Sequence, residues 1–189
     1  MKMLDARVVK TKQKLFDAYL QLIAKKPADA ITIQELTLLA GVNRVTFYKH
    51  FQHLANFQHH FIEHYIVALY DFMKPLNYKP YTQGFEYEAL VQLLSYIRDN
   101  ASIYKVLLTS EFIPQFNRDL LLFFQQKVTQ HTEEQAMFDF PGTGVDKTIV
   151  AWYGVSALFG TVLMWVRSNF PYSPEELARA ITKLNTQAQ

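Results

Sequence analysis

Apolar residues recur at helical spacing along almost the whole chain, and this periodicity restricts the fold more than any other feature. No segment alternates apolar and polar residues in the way that a half-buried β-strand does. The pattern therefore predicts an all-α fold of about nine helices. The predicted helices cover residues 6–25, 33–40, 44–50, 54–74, 85–99, 101–110, 114–131, 145–168 and 175–185.

Local signals mark two of the helix starts. Thr32 and Glu35 have the spacing of a capping box, in which the Thr hydroxyl accepts the third backbone N–H and the Glu side chain reaches back. Ser173 and Glu176 repeat that spacing before the last helix. Turn-rich stretches separate the longer helices at residues 77–84 and 132–144, where Pro and Gly are concentrated.

Composition excludes several classes of protein. The chain has 189 residues, of which 50% are hydrophobic and 15% aromatic, so it can fill a core and is not intrinsically disordered. It contains no Cys, which excludes a disulfide scaffold, a thiol nucleophile and an iron–sulfur cluster. The basic residues 1–14 lack the apolar segment of a signal peptide, so we expect a cytoplasmic protein. We also expect no cofactor.

Charge is unevenly distributed along the chain. Residues 1–55 contain nine Lys or Arg and four Asp or Glu, a net charge of +5, whereas the remainder carries −3. A basic N-terminal quarter on a mildly acidic remainder suggests a module that faces nucleic acid, although a solvated helical surface has the same pattern.

Two short predicted helices have the proportions of a helix-turn-helix motif. Gly41 suits a left-handed residue that ends the first helix, and Asn43 is a good N-cap for the second. The second helix of such a motif enters the DNA major groove with its N-terminal residues at the base edges. Arg44 has the geometry to bind guanine O6 and N7 together, and Thr46 suits a base edge, a thymine methyl or a phosphate.

The rest of that helix divides into a polar and an aromatic face. Tyr48, Lys49 and His50 are suited to phosphate contacts. Phe47 and Phe51 are four residues apart and are expected to face inward. Leu36 and Leu39 are expected to pack against them.

The residues from Arg7 to Phe57 resemble the N-terminal domain of the TetR family of bacterial transcriptional regulators. The resemblance is carried by residues 32–36 (TIQEL), 40–44 (AGVNR) and 46–51 (TFYKHF). It implies a DNA-binding domain over residues 1–54 and a dimerisation and effector-binding domain over residues 55–189. It further implies that the protein is no enzyme but a homodimeric repressor, bound to double-stranded operator DNA and modulated by a small molecule.

The resemblance also assigns residues to the DNA contact. Base-contacting positions correspond to Arg44, Val45 and Thr46, and phosphate or sugar contacts to Thr32, Tyr48, Lys49 and His50. The candidate DNA-binding residues are Thr32, Asn43, Arg44, Val45, Thr46, Tyr48, Lys49 and His50. The family usually has a Lys shortly after the position of Phe51, where this chain has Gln52, His53 and Leu54. The corresponding phosphate contact is therefore either missing or made by His53.

Residues 148–166 form an uncharged stretch of nineteen residues with two interpretations. Its length reaches that of a membrane span. A helix that is apolar all round also suits the core of a dimer, and the resemblance implies that the last two helices form this interface. We favour the dimer and expect no membrane contact. The candidate interface residues are Trp152, Ser156, Phe159, Gly160, Leu163, Leu177 and Ile181.

Aromatic side chains in the C-terminal part could line an effector cavity, although plain core packing is the better explanation for any one of them. The candidate effector-binding residues are His64, Tyr65, Tyr96, Arg98, Tyr104 and Phe116.

Two other functions compete with regulation. His60, Glu63 and His64 fit the H-x-x-E-H pattern of inverted zinc metallopeptidases, although no distal acidic ligand can be identified. We therefore expect neither a metal nor a catalytic residue. The departure at Leu54 leaves open a helical ligand-binding or scaffolding protein whose DNA-binding head is weakened.

Overall fold

The computed structural model describes residues 6–73, 87–134 and 145–187. All regular secondary structure in these stretches is helical, which confirms the predicted all-α class. The helices are α1 (Ala6–Ile23), α2 (Ile33–Ala40), α3 (Arg44–His50), α4 (Leu54–Met73), α5 (Tyr87–Asp99), α6 (Ala101–Thr109), α7 (Pro114–Glu134), α8 (Lys147–Arg167) and α9 (Pro174–Gln187), with a short 3-10 turn at Ala28–Ala30. The predicted break at 77–84 lies outside the described residues, and so does most of the break at 132–144, whose first three residues belong to α7.

The end of α1 differs from the sequence prediction. The helix ends at Ile23 rather than at residue 25, because the chain tightens into a turn before Pro27. In that turn the backbone N–H groups of Lys25 and Lys26 both donate to the carbonyl of Leu22. The 3-10 turn that follows had no signal in the sequence.

The chain divides into two compact units. The first comprises Met1–Tyr65 and Ser110–Pro114, and the second comprises Ile66–Thr109 and Gln115–Gln189. Helix α4 runs from the first unit into the second. The functional division predicted at residue 54 stays a prediction.

The first unit is built on a cluster of buried aromatic rings. Phe57 lies at its centre, with ring centroids of neighbouring side chains 5.0–6.4 Å away. The neighbouring rings are those of Phe16, Tyr19, Phe47, Phe51 and Phe61. All six are almost completely buried, so the rings of α1, α3 and α4 form one apolar core.

The segment between α6 and α7 belongs to this first unit. Ile113 is buried, and the backbone N–H of Ala28 donates to the carbonyl of Phe112 at 3.2 Å. The Ser110 hydroxyl donates to the carbonyl of Ile23 at 3.3 Å. These contacts fix the segment against the end of α1 and the 3-10 turn.

In the second unit α5 packs against α9, and α6 packs against α8. The apolar residues of α5 that are buried include Leu90, Leu94 and Ile97. Ser173 and Glu176 form the predicted capping box at the start of α9: Ser173 N–H donates to the Glu176 carboxylate at 2.7 Å, and Glu176 N–H donates to the Ser173 hydroxyl at 3.2 Å.

The loop before α9 has an unusual backbone. Asn169 and Phe170 both have positive φ angles, of 62° and 58°. The Phe170 ring lies edge-on to Trp165 at 4.8 Å, and the Lys105 ammonium lies 5.2 Å from its centroid. Trp165 Nε1–H also donates to the carbonyl of Tyr172 at 2.9 Å, so side-chain contacts hold the loop in this conformation.

Candidate nucleic-acid interface

The turn between α2 and α3 has the geometry that the sequence predicts. Gly41 adopts a left-handed conformation with φ 61° and ψ 36°, which a residue without Cβ reaches at little cost. Its N–H donates to the carbonyl of Leu38, and the N–H of Val42 donates to that of Thr37. These bonds satisfy the last carbonyls of α2 and turn the chain sharply into α3.

Helix α3 begins at Arg44 and is capped by Asn43. The Asn43 side-chain oxygen accepts the backbone N–H of Val45 at 2.8 Å. Phe47 and Phe51 are buried as predicted, and they fix one face of α3 to the aromatic core. The opposite face is consequently presented to solvent at its N-terminal end.

The candidate DNA-contacting residues of α3 lie largely on that solvent face. Arg44, Tyr48 and Lys49 are exposed, and Val45 is 76% exposed. Thr46 and His50 are partly buried. The first turn of α3 carries no acidic residue, and Lys49 and His50 lie in the last turn.

One residue of α2 departs from the predicted packing. Leu39 is 49% exposed rather than buried against Phe47 and Phe51. Leu36 and Thr37 are the buried residues of this helix. At 3.6 residues per turn, Leu39 lies about 110° around the helix axis from the midpoint between Leu36 and Thr37. Its side chain therefore points away from the core. The Thr37 hydroxyl is satisfied locally, donating to the carbonyl of Ile33 at 2.8 Å.

Thr32 caps α2, and the Glu35 of the predicted capping box interacts with both Thr32 and Lys26. The Thr32 hydroxyl accepts the backbone N–H of Glu35 at 3.2 Å. The Glu35 carboxylate also accepts from Lys26, whose Nζ lies 2.7 Å from both of its oxygens. The hydrogen bond from Lys26 is the main cause that lowers the pKa of Glu35. Lys26 is therefore engaged in an ion pair within the first unit.

Arg44 is held by a residue that sequence analysis did not identify. Its Nη2 donates to the side-chain oxygen of Gln34 at 3.0 Å. Both side chains are exposed, and the contact joins the second residue of α2 to the first residue of α3. A separation of ten residues across a turn leaves no local pattern that could have predicted it.

His53 has a structural role at the start of α4. Its Nδ1 accepts the backbone N–H of Asn56 at 3.0 Å, so the imidazole occupies the N-cap position. A neutral ring that accepts at Nδ1 carries its proton on Nε2, where it is a donor. The His53 side chain is thus fixed by the helix that it precedes.

The C-terminal part decides the family. Residues 86–187 match the family model of a TetR-type transcriptional regulator C-terminal region, which covers more than half of the chain. The chain belongs to the TetR family of transcriptional regulators. The helix-turn-helix geometry of residues 33–50 stands outside the matched range and supports the same assignment.

Solved structures share the fold of this TetR-family chain. NalD of Pseudomonas aeruginosa, the secondary repressor of the MexAB-OprM multidrug efflux pump, is 16% identical over 95% of this chain and 96% of its own, with a TM-score of 0.68. FadR of Bacillus subtilis, in complex with stearoyl-CoA, is 16% identical over 92% and 96%, with a TM-score of 0.55. DhaS, an activator of a dihydroxyacetone kinase operon, is 18% identical over 94% and 95%, with a TM-score of 0.60. No curated protein matches the chain in sequence.

The candidate effector residues of this regulator are divided between the two units. His64 and Tyr65 belong to the first, where the His64 ring lies 5.0 Å from those of Phe16 and Tyr65. Burial, with a smaller contribution from the charge of Lys12, lowers the pKa of His64.

In the second unit the remaining candidates differ in exposure. Tyr104 and Phe116 are fully buried, the Tyr96 ring lies 5.8 Å from that of Tyr104, and Arg98 is exposed. An open groove of about 430 Å³ in this unit is lined by other residues, namely Tyr87, Arg179, Thr182 and Lys183. The effector site therefore stays a prediction.

The candidate dimer residues fall into three groups by exposure. Trp152 and Ser156 are exposed on α8, whereas Leu177 and Ile181 of α9 are buried within their own unit. The others, Phe159, Gly160 and Leu163, are partly buried. Large apolar side chains are exposed nearby on α8 and α9, namely Ile149, Tyr153, Met164 and Leu184.

The two competing patterns gain no support. In the part of the chain that the structure describes, no three His, Asp or Glu side chains come together as a metal site would require. His60 Nδ1 instead lies 3.5 Å from a Glu63 carboxylate oxygen. Nor does any helix within residues 6–73, 87–134 and 145–187 combine the length and hydropathy that crossing a membrane demands.

Proposed function

We propose that this TetR-family regulator is a homodimeric repressor that places α3 of each subunit in successive major grooves of a palindromic operator. The observation that carries the proposal is the arrangement of α3. Phe47 and Phe51 anchor one face in the core, while Arg44 and Val45 extend into solvent at its first turn. A recognition helix needs that combination of rigid support and exposed N-terminal residues.

The exposed residues divide by the contact each can make. Arg44 donates to guanine O6 and N7, Val45 packs against a thymine methyl, and Thr46 contacts a base edge. Tyr48 and Lys49 contact phosphates, which fixes the position of the helix without reading sequence. The remaining candidates, Thr32, Asn43 and His50, belong to the same backbone-contacting group.

Dimerisation through α8 is supported by its exposed face. Ile149, Trp152, Ser156 and Met164 recur at helical spacing on the solvent side of this helix. Large apolar side chains exposed together on one side of a helix are typical of a protein interface. Leu177 and Ile181 are buried within their own unit, where α9 packs against α5, so the proposed interface does not rely on them.

The proposal also includes a small-molecule effector and a cytoplasmic location. FadR was solved with stearoyl-CoA, which supports a small-molecule effector for this chain as well. An effector regulates by binding one spacing of the two α3 helices more tightly than another. NalD is named a repressor and DhaS an activator, so the sign of regulation requires a direct test.

The test is selection from a random pool of duplex DNA at several salt concentrations, followed by sequencing of the retained fraction. We expect an enriched palindrome, with half-sites about one helical turn apart and a steep salt dependence. Transcription from a promoter that carries this palindrome is then expected to fall when the protein is added. Salt-sensitive retention without enrichment, or no retention at low salt, would contradict sequence reading and favour a ligand-binding protein with a weakened head.

A further inference from the structure

Gln34 and Arg44 connect the two helices of the helix-turn-helix motif on its exposed surface. The Arg44 Nη2 donates to the Gln34 side-chain oxygen at 3.0 Å. Gln34 is the second residue of α2, and Arg44 is the first residue of α3. The guanidinium proposed to read a base is therefore already held by a neighbour before DNA arrives.

The bond leaves the reading capacity of Arg44 intact. A guanidinium has five N–H donors in a planar fork, and the contact with Gln34 uses one of them. Both terminal nitrogens carry two hydrogens, so a pair of parallel donors remains for O6 and N7 of guanine. A held Arg side chain also loses less rotamer freedom on binding than a free one, which improves affinity for the base that its plane matches.

Gln34 is not needed to form α2. Thr32 caps this helix by accepting the backbone N–H of Glu35, and the Glu35 carboxylate pairs with Lys26. The Gln34 side chain takes part in none of these bonds. The side-chain amide of Gln34 can therefore be removed without removing a cap.

We propose that Gln34 is a specificity-determining positioning residue, which orients the Arg44 guanidinium toward one base pair of each half-site. The inference rests on the proposed reading role of Arg44. Gln34 acts through Arg44, and so its effect is confined to the base pair that Arg44 reads.

The test compares the full-length protein with its Gln34→Met variant on the selected operator and on every single-base-pair substitution of it. Met keeps the length and helix propensity of Gln but removes the hydrogen-bond acceptor. The matched control is Gln21→Met, at an exposed Gln of α1. Arg44→Ala identifies the base pair concerned, and the double variant Gln34→Met with Arg44→Ala tests whether the two residues act together.

We expect Gln34→Met to reduce discrimination at the base pair of Arg44 about two- to tenfold, the range expected when one side chain is no longer immobilised in advance. Preferences at other positions and affinity for random duplex stay unchanged, as they do in Gln21→Met. In the Arg44→Ala background Gln34→Met has no further effect, because coupled residues are not additive.

Three results obtained with an enriched operator would overturn the inference. Discrimination at that base pair could be unchanged in Gln34→Met. Operator affinity could rise, which would mean that the hydrogen bond between Gln34 and Arg44 competes with DNA binding. The loss could persist in the Arg44→Ala background, which would assign Gln34 a contact of its own. Failure of the proposed function can be distinguished from these results, because the unmodified protein would then enrich no operator. That failure would overturn the inference as well.

Discussion

The side-chain amide of Gln58 donates to the Tyr19 hydroxyl at 3.0 Å and to the carbonyl of Ala28 at 3.1 Å. Tyr19 is fully buried in the aromatic core, and its hydroxyl is the polar end of an otherwise apolar ring. Burial raises the pKa of Tyr19 to about 12, although the bond from Gln58 acts in the opposite direction. One bond network thus connects α1, α4 and the 3-10 turn.

This burial predicts a loss of stability at alkaline pH. The pKa of Tyr19 is about 12 in the folded protein, against an ordinary value of 10.0 for a solvated Tyr, so the unfolded chain loses its proton first. The contribution to the free energy of unfolding is complete below pH 10 and is lost as the pH rises toward 12, by about 2–3 kcal/mol. The free energy of unfolding of Tyr19→Phe, measured with denaturant, is expected to fall less steeply over this pH range than that of the unmodified protein. Parallel pH profiles would rule out Tyr19 as the source.

Removal of the His53 cap is expected to destabilise the start of α4. His53→Ala leaves the backbone N–H of Asn56 without its acceptor, which costs about 1 kcal/mol of unfolding free energy. His53→Asn restores a side-chain oxygen at the N-cap and is expected to recover most of this loss. His59→Ala, at an exposed site within the same helix, is the control. If His53→Ala and His53→Asn have the same midpoint in urea, the capping role is wrong.

Two variants separate the effect of the left-handed Phe170 backbone on stability from the effect of the packing of its ring. Phe170→Ala removes the ring contacts with Trp165 and Lys105 but keeps the side-chain carbon that disfavours a φ of 58°. Phe170→Gly removes both the ring and that carbon. We expect both variants to be less stable than the unmodified protein, and Gly to be more stable than Ala by about 1 kcal/mol. Equal stability of the two variants would mean that the backbone is not strained here.

Local chemistry explains why much of this fold was predictable. Thr32, Asn43 and Gly41 act within three residues of their own positions, and the structure places each in its predicted cap. Contacts between distant residues had no such signal. Lys26 reaches Glu35 across a turn that the sequence did not predict, and Gln58 meets Tyr19 at a separation of 39 residues. The bond between Gln34 and Arg44 belongs to this second class, since it depends on the angle between two helices.

Arg44 and Lys49 are expected to contribute to DNA binding in different ways. Both are exposed on α3, but only Arg44 lies in its first turn. Arg44→Ala should cost about 1–3 kcal/mol on the selected operator and relax the preference at one base pair. Lys49→Ala should weaken binding to operator and random duplex alike and reduce the salt slope by about one. Equal losses for Arg44→Ala on both kinds of DNA would remove it from base reading.

The exposed face of α8 predicts the oligomeric state. Ser156 is a small exposed residue between the apolar side chains of Trp152 and Met164, so an arginine there would bury an unpaired charge at the centre of the proposed interface. We expect the unmodified protein to sediment as a dimer of the 22.1 kDa chain at micromolar concentration, and Ser156→Arg to sediment as a monomer. Ser102→Arg, at an exposed position of α6, adds the same charge elsewhere and should remain dimeric. Because the two α3 helices must reach adjacent grooves together, Ser156→Arg should also lose affinity for the full palindrome while it retains its weaker binding to a single half-site. A Ser156→Arg protein that still sediments as a dimer would exclude this face of α8 as the interface.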